Sequence, residues 1–163
     1  MKKLTISVLC LLLLLSGCSQ AQEYEQPINF YYCAAADSFD NNSMSILPET
    51  REGKQWSTLE DTMRAYLSGP VTETLASPFP AELRLVSIQQ NESTVFVTFS
   101  MELAELTNLD LTIACGCITL TCLELTSAQQ VTIEAENTLL DGQKSITMDR
   151  ESLLLVDHAI QEE

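Results

Sequence analysis

The stretch Thr94-Val-Phe-Val-Thr-Phe-Ser100 decides the fold that the sequence predicts. Val95 and Val97 share one face of an extended chain, because successive side chains of a β-strand point to opposite faces. Residues 83–88 just before it also have the composition of a strand. The polar residues at 90–92 separate the two segments, so together they predict a β-hairpin in the middle of the chain.

Two helices are predicted on either side of this hairpin. The first begins with a capping box at Ser57–Glu60 and ends at Gly69-Pro70, which cannot continue a helix. Asn108 can cap the second helix, with Asp110 in its first turn. Apolar residues recur in both at helical spacing. They are Leu59, Met63, Tyr66 and Leu67 in the first helix, and Leu109, Ile113, Cys117 and Leu120 in the second.

Short apolar segments predict the remaining strands. Pro48 confines one of them to a sheet edge, because proline cannot donate a ladder hydrogen bond. Asp141-Gly142 predicts a turn. The order β-β-α-β-β-α-β-β predicts an α+β fold, a single small domain in which two helices pack on one face of a mixed β-sheet. Outside the hairpin, strands are expected at residues 28–33, 46–51, 130–135 and 153–156.

The N-terminus predicts a signal peptide that ends at a lipid-attachment site. Met1-Lys2-Lys3 precedes an apolar run at 8–15, shorter than the roughly 20 residues of a permanent span. Leu15-Ser16-Gly17-Cys18 resembles the bacterial lipobox, whose cysteine carries diacylglycerol and palmitate. We therefore expect cleavage before Cys18 and lipid anchoring on the outer, extracytoplasmic face of the cell membrane. The alternative is an ordinary secretory signal that ends near a cysteine.

Composition limits the classes of function that remain. The formal net charge of −15 repels nucleic-acid phosphates and anionic lipid headgroups, which excludes DNA and RNA binding and leaves the lipid as the membrane attachment. No segment after the leader reads as long and apolar enough to span a membrane. The expected organisation is a signal peptide at 1–17, a lipidated cysteine and polar tether at 18–27, a domain at 28–157 and an acidic tail at 158–163.

The domain resembles the GerMN family of sporulation and spore germination proteins. Tyr66-Leu67-Ser68-Gly69-Pro70 looks like the end of the family's first helix, and Leu47-Pro48-Glu49-Thr50-Arg51 matches the segment before that helix. Pro78-Phe79-Pro80-Ala81-Glu82-Leu83 is similar to its proline-bearing segment, and Val95–Ser100 with Glu102-Leu103 to its central strand. The resemblance covers residues 28–157, although Cys115, Cys117 and Cys122 replace the usual alanine and aliphatic residues of the second helix.

The resemblance implies a non-enzymatic module without a cofactor. GerMN domains occur in surface lipoproteins of Gram-positive bacteria and are thought to mediate protein–protein contacts in envelope assemblies. The implied partner is an envelope or sporulation protein, with a homo-oligomer as a further possibility. A different hypothesis is a lipoprotein that binds a small solute or a cation. The acidic loop at Asp37–Asn42 suits that hypothesis, although it lacks the spacing of an EF-hand loop.

Catalytic signals are weak in this sequence. His158 is the only histidine, and a triad-type nucleophile would need it as a base held by a carboxylate. The chain has neither a Gly-x-Ser-x-Gly elbow nor a glycine-rich phosphate loop. The sequence therefore predicts a protein that is not an enzyme, with neither catalytic nor cofactor-binding residues.

Four cysteines outside the leader and the lipobox leave three interpretations open. Cys33, Cys115, Cys117 and Cys122 can be small buried side chains. Cys33 can form a disulfide with one of the others, since an extracytoplasmic compartment permits it. A metal site is the third interpretation, although Cys117 lies roughly 200° around the helix from Cys115, so one ion cannot reach all three helical cysteines.

Overall fold

The computed structural model describes residues 27–35, 46–52 and 58–153. These residues contain seven strands, two α-helices, a 3₁₀ helix at Met101–Glu105 that the sequence did not predict, and a helical turn at 150–153. The helices are α1 (Leu59–Leu67) and α2 (Asn108–Leu125). The strands are β1 (Ile28–Ala34), β2 (Ile46–Arg51), β3 (Leu75–Ala76), β4 (Leu85–Asn91), β5 (Thr94–Phe99), β6 (Gln130–Ala135) and β7 (Ser145–Asp149).

The strands form two sheets. One is antiparallel with the order β2-β1-β3, and the other has the order β4-β5-β6-β7. In the second sheet β5 and β6 are parallel, because the chain crosses over through α2 between them, whereas both outer pairs are antiparallel. The α+β class and the mixed pairing are confirmed, but the strands are divided between two sheets where the sequence predicted one. Pro48 lies on the edge strand β2, as predicted.

The central hairpin folds as its alternation predicts. Val95, Val97 and Phe99 are buried, while Phe96 on the opposite face is 43% exposed. The turn lies further along than predicted, because β4 continues to Asn91. Glu92 takes a positive φ of 52°, and the Gln90 side-chain amide donates to its carbonyl at 3.0 Å.

The first helix is capped one residue later than predicted. The Thr58 hydroxyl accepts a hydrogen bond from the Asp61 N–H at 3.0 Å, so the helix begins at Leu59. Ser57 lies outside the described residues. Met63 and Tyr66 are fully buried, which confirms the apolar face of α1.

Helix α2 is buried on nearly all sides, so the predicted single apolar stripe was wrong. Leu109 is 48% exposed, and Ile113 and Leu120 are only partly buried. The reason is that α2 packs against strands of both sheets. The length and composition of α2 would also suffice for a membrane span, contrary to the sequence-based expectation. However, 61% of the helix is buried within the domain. Thr107, not Asn108, is the residue before the helix, and its side chain makes no capping bond.

The predicted last strand was misplaced. Strand β7 lies at Ser145–Asp149, where Ile146 and Met148 pack against the core. Residues 150–153 are helical, and the Asp149 carboxylate accepts from the Ser152 N–H at 2.7 Å, which caps this turn. Leu153 is therefore helical, and residues 154–156 lie outside the described part of the chain. Asp141-Gly142 forms the predicted turn, with φ values of 47° and 82°.

Candidate functional site

Strand β1 has an open edge that side chains cover. Strand β3 pairs only with Cys33 and Ala34, so within the described part of the chain residues 28–32 have a backbone neighbour on the β2 side alone. The Tyr31 N–H donates to Thr121 Oγ1 of α2 at 3.0 Å. The Tyr66 hydroxyl of α1 donates to the Tyr31 carbonyl at 2.8 Å. Both helices thus satisfy backbone groups that a neighbouring strand would otherwise bind.

An aromatic cluster lies beside this edge. The ring of Tyr66 is 5.3 Å from Phe30, 5.1 Å from Tyr32 and 5.2 Å from Phe79, centroid to centroid. The Tyr32 hydroxyl donates to the Tyr66 carbonyl at 2.8 Å. Burial raises the pKa of both tyrosines above the ordinary value, so both hydroxyls remain protonated donors at neutral pH.

A buried ion pair joins β2 to the loop after α1. The side chains of Glu49 and Arg51 are 3% and 12% exposed. Arg51 Nε donates to Glu49 Oε1 at 2.6 Å. Glu49 Oε2 accepts from the backbone N–H groups of Val71 and Thr72 at 2.9 and 2.8 Å. Every strong acceptor site of the carboxylate therefore faces a donor, as burial of a charge requires.

Arg51 also contacts the loop after α1 and the ring of Phe30. Its Nη2 donates to the Gly69 carbonyl at 2.8 Å, and its guanidinium lies 5.0 Å over the centre of the Phe30 ring. Gly69 has a φ of 92°, a conformation that favours glycine. Burial raises the pKa of Glu49, but the hydrogen bonds from Thr72 and Arg51 outweigh it, so the net shift is downward.

A groove of about 490 Å³ opens beside the end of β1. Phe79 and Leu106 give it apolar walls, and Glu105 and Asp110 add carboxylates. Cys33 also lines it. The Cys33 side chain neighbours the buried Cys117 side chain of α2.

The structure places only some of the predicted site residues. Cys18, the acidic loop Asp37–Asn42 and His158 lie outside the described residues. Cys115, Cys117 and Cys122 are buried in α2, and all four described cysteines are free thiols. Within the described ranges, no group of three or more His, Cys, Asp or Glu side chains is placed to hold a metal ion.

Sequence reasoning missed two contacts. The first is the Glu49–Arg51 ion pair, since both residues were considered only as part of the family segment before the first helix. Their spacing of two on an edge strand indicates that both side chains point to the same face. Sequence reasoning also left the cysteine paired with Cys33 open, because a contact between a strand and a helix 84 positions away has no local signal.

The outer face of the four-stranded sheet is open and nearly uncharged. A row of directly opposed residues crosses all four strands: Gln89, Phe96, Thr132 and Thr147. The Thr132 and Thr147 hydroxyls are 3.0 Å apart and hydrogen-bonded. Phe96 is the aromatic centre of this row, which we call the Phe96 row.

These features define a small α+β domain with a long core helix between two sheets and a Glu–Arg pair that holds a Gly-Pro loop. The family model Germane, described as sporulation and spore germination, matches residues 29–141. The chain therefore belongs to the Germane family. No curated protein matches the chain.

Two solved structures from Bacillus subtilis share the fold. The tandem GerMN domains of the sporulation protein GerM are 20% identical, with a TM-score of 0.56, and the match covers 84% of this chain and 49% of that one. The first GerMN domain of the same protein is 15% identical, with a TM-score of 0.57, and the match covers 77% of this chain and 98% of that one. The present chain thus spans about half the length of the tandem structure. The predicted GerMN-type domain is confirmed.

Proposed function

We propose that this chain is a lipid-anchored surface protein whose Germane domain is a non-enzymatic protein-interaction module. It acts in an envelope assembly, in the context of sporulation or germination that the family description gives. The observation that carries the proposal is the Phe96 row on the open face of the four-stranded sheet.

The composition of this face differs from that of the chain. Three rows of opposed residues cross the outer face of the sheet, and only Glu134 and Asp149 among them are charged, although the chain has a net charge of −15. The cores of protein–protein interfaces are depleted in charged residues and enriched in aromatic ones. An exposed phenylalanine at the centre of an uncharged row has both properties.

The charge around this face indicates what kind of partner fits. Glu92 and Glu136 are exposed at the ends of β4 and β6, and Lys144 and Arg150 are exposed at the two ends of β7, so charges of both signs surround the uncharged centre. The fitting partner is therefore a protein with an apolar centre and charged residues of both signs around it.

The sequence supports the location of the module. The lipobox predicts lipid on Cys18, and the polar residues at 19–26 give a tether between anchor and domain. The negative charge keeps the domain away from anionic headgroups, so its sheet face remains available to a protein partner.

The test is a pull-down from detergent-solubilised host membranes with the full lipidated chain as bait. Phe96→Glu places a charge at the centre of the uncharged row. Val71→Glu is the matched control, because Val71 is 77% exposed and lies in the loop after α1. We expect one envelope protein to be recovered by the wild type and by Val71→Glu, and lost with Phe96→Glu.

Two outcomes would contradict the proposal. Equal recovery by both variants would exclude the Phe96 row as the binding surface. A bait without any partner, in growing and in sporulating cells, would favour the solute-binding alternative. The groove beside Cys33 is the observation behind that alternative, because Phe79, Glu105 and Asp110 together suit a small cation with an apolar part.

A further inference from the structure

Strand β1 and helix α2 lie side by side in a regular register. The Asn29 side-chain amide donates to the Glu124 carboxylate at 3.0 Å. Two residues later, the Tyr31 N–H donates to Thr121 at 3.0 Å. Each two-residue step on a strand covers about 6.6 Å, and three or four helical residues cover about 4.5–6 Å. The next step of this register brings Cys33 opposite Cys117, and Ile46, which pairs with Cys33 on β2, lies against Gly116 beside Cys117.

The two thiols differ in access. Cys33 is only partly buried and lines the groove, so a reagent in the groove can reach it. Cys117 is fully buried behind it. We propose that Cys33 and Cys117 form a thiol–disulfide exchange site, in which Cys33 attacks an external disulfide and Cys117 completes an internal one.

The protonation of the pair favours this division of roles. Interaction with the Cys117 thiol lowers the pKa of Cys33, against burial and the negative charge of Asp110, which raise it. Interaction with Cys33, together with burial and nearby Cys115, raises the pKa of Cys117. Cys33 is therefore the thiol of the pair that deprotonates more readily. The thiolate is the nucleophile in exchange, and a lowered pKa increases its fraction at neutral pH.

The reaction balances with a small disulfide, RSSR, as oxidant. The Cys33 thiolate attacks one sulfur of RSSR, which forms a mixed disulfide and releases RS⁻. The Cys117 proton passes to this RS⁻ to give RSH. Cys117 sulfur then attacks Cys33 sulfur, the mixed disulfide breaks, and a second RS⁻ leaves and takes a proton from water. Two protein thiols are oxidised, and RSSR is reduced to two RSH.

The other two helical cysteines provide matched controls. Cys115 and Cys122 are buried on the same helix, and burial alone raises the pKa of each to about 12. Neither lines the groove. The proposal therefore predicts exchange at Cys33 and Cys117 but not at Cys115 or Cys122.

The experiment treats the purified full-length chain with oxidised glutathione and maps cysteine-containing peptides by mass spectrometry. The peptide map distinguishes these cysteines from Cys10 and Cys18. We expect a Cys33–Cys117 disulfide in the wild type and in Cys122→Ala, reversed by dithiothreitol. In Cys117→Ala the glutathione mixed disulfide on Cys33 should accumulate, and in Cys33→Ala Cys117 should stay reduced.

A second measurement remains informative if a variant folds poorly. The rate of Cys33 alkylation by iodoacetamide, followed against pH, should have its midpoint at higher pH in Cys117→Ala than in Cys122→Ala. A glutathione adduct that persists equally in the wild type and in Cys117→Ala would overturn the resolving role of Cys117. A Cys33 that does not react, or a midpoint unchanged by Cys117→Ala, would overturn the site itself.

Discussion

The two sheets of this domain are held together by different physics. The three-stranded sheet depends on directed polar contacts, namely the Glu49–Arg51 pair and the bonds of Thr121 and Tyr66 to the edge of β1. The four-stranded sheet buries a plain aliphatic row, with Val131 and Ile133 fully inaccessible. The first sheet should therefore respond to pH and to single polar changes, and the second should respond mainly to lost volume.

The largest expected effect is on the ion pair. Arg51→Met leaves the Glu49 carboxylate buried without its cation, which typically costs about 3–5 kcal/mol. The control is Arg64→Met, because Arg64 and Glu60 form an i,i+4 pair at 2.6 Å with both side chains more than half exposed. That exposed pair should contribute less than about 1 kcal/mol. Urea unfolding at pH 7 measures both, and equal losses would disprove the structural role of the buried pair.

The pH dependence follows from the same carboxylate. The folded pKa of Glu49 lies below the ordinary value of 4.5 for a free carboxyl group. Its ionised form therefore stabilises the fold above that value, and this contribution is lost as the pH falls through the lower, folded pKa. The difference in unfolding free energy between wild type and Arg51→Met should shrink on acidification. A constant difference from neutral to acid pH would contradict this assignment.

Ile133→Ala provides the contrast in the other sheet. Removing a fully buried aliphatic side chain from β6 should cost about 2–5 kcal/mol through lost burial and a cavity. No titratable group takes part in that loss. We therefore expect its difference from the wild type, measured by the same urea titrations, to stay the same where the Arg51→Met difference shrinks.

The same contrast explains what could be predicted from sequence. Val131 and Ile133 alternate with polar residues, so local periodicity was sufficient to place β6 and its buried face. Glu49 contacts Val71 and Thr72 across more than twenty residues, and no local pattern encodes that distance. Helix α2 failed the stripe prediction for a related reason. A helix between two sheets keeps only a small face toward solvent, so its apolar residues do not form a single stripe.

Thr121 and Thr119 allow a finer test within α2. Both are fully buried, but Thr121 Oγ1 accepts from the Tyr31 N–H, whereas Thr119 Oγ1 has no hydrogen-bond partner among the residues that the structure describes. Thr121→Val leaves a partly buried N–H unsatisfied and should cost about 1–3 kcal/mol. Thr119→Val removes an unpaired buried hydroxyl and should be neutral or stabilising. Thermal unfolding of the two variants measures this, and equal destabilisation would show that the covered edge of β1 contributes nothing.

The smallest expected effect on stability is at the proposed interface. Phe96 faces outward from β5 with 43% of its surface exposed, and Phe96→Glu opens no cavity in the core, so it should change the unfolding free energy by about 1 kcal/mol, the span of strand propensities. Circular dichroism during urea unfolding provides the measurement, with Ile133→Ala as the inward-facing comparison on the neighbouring strand. A small change means that any loss of partner recovery by Phe96→Glu reflects the altered surface. A loss of stability comparable to that of Ile133→Ala would instead make Phe96 part of the core, and the open sheet face would no longer be available as a binding surface.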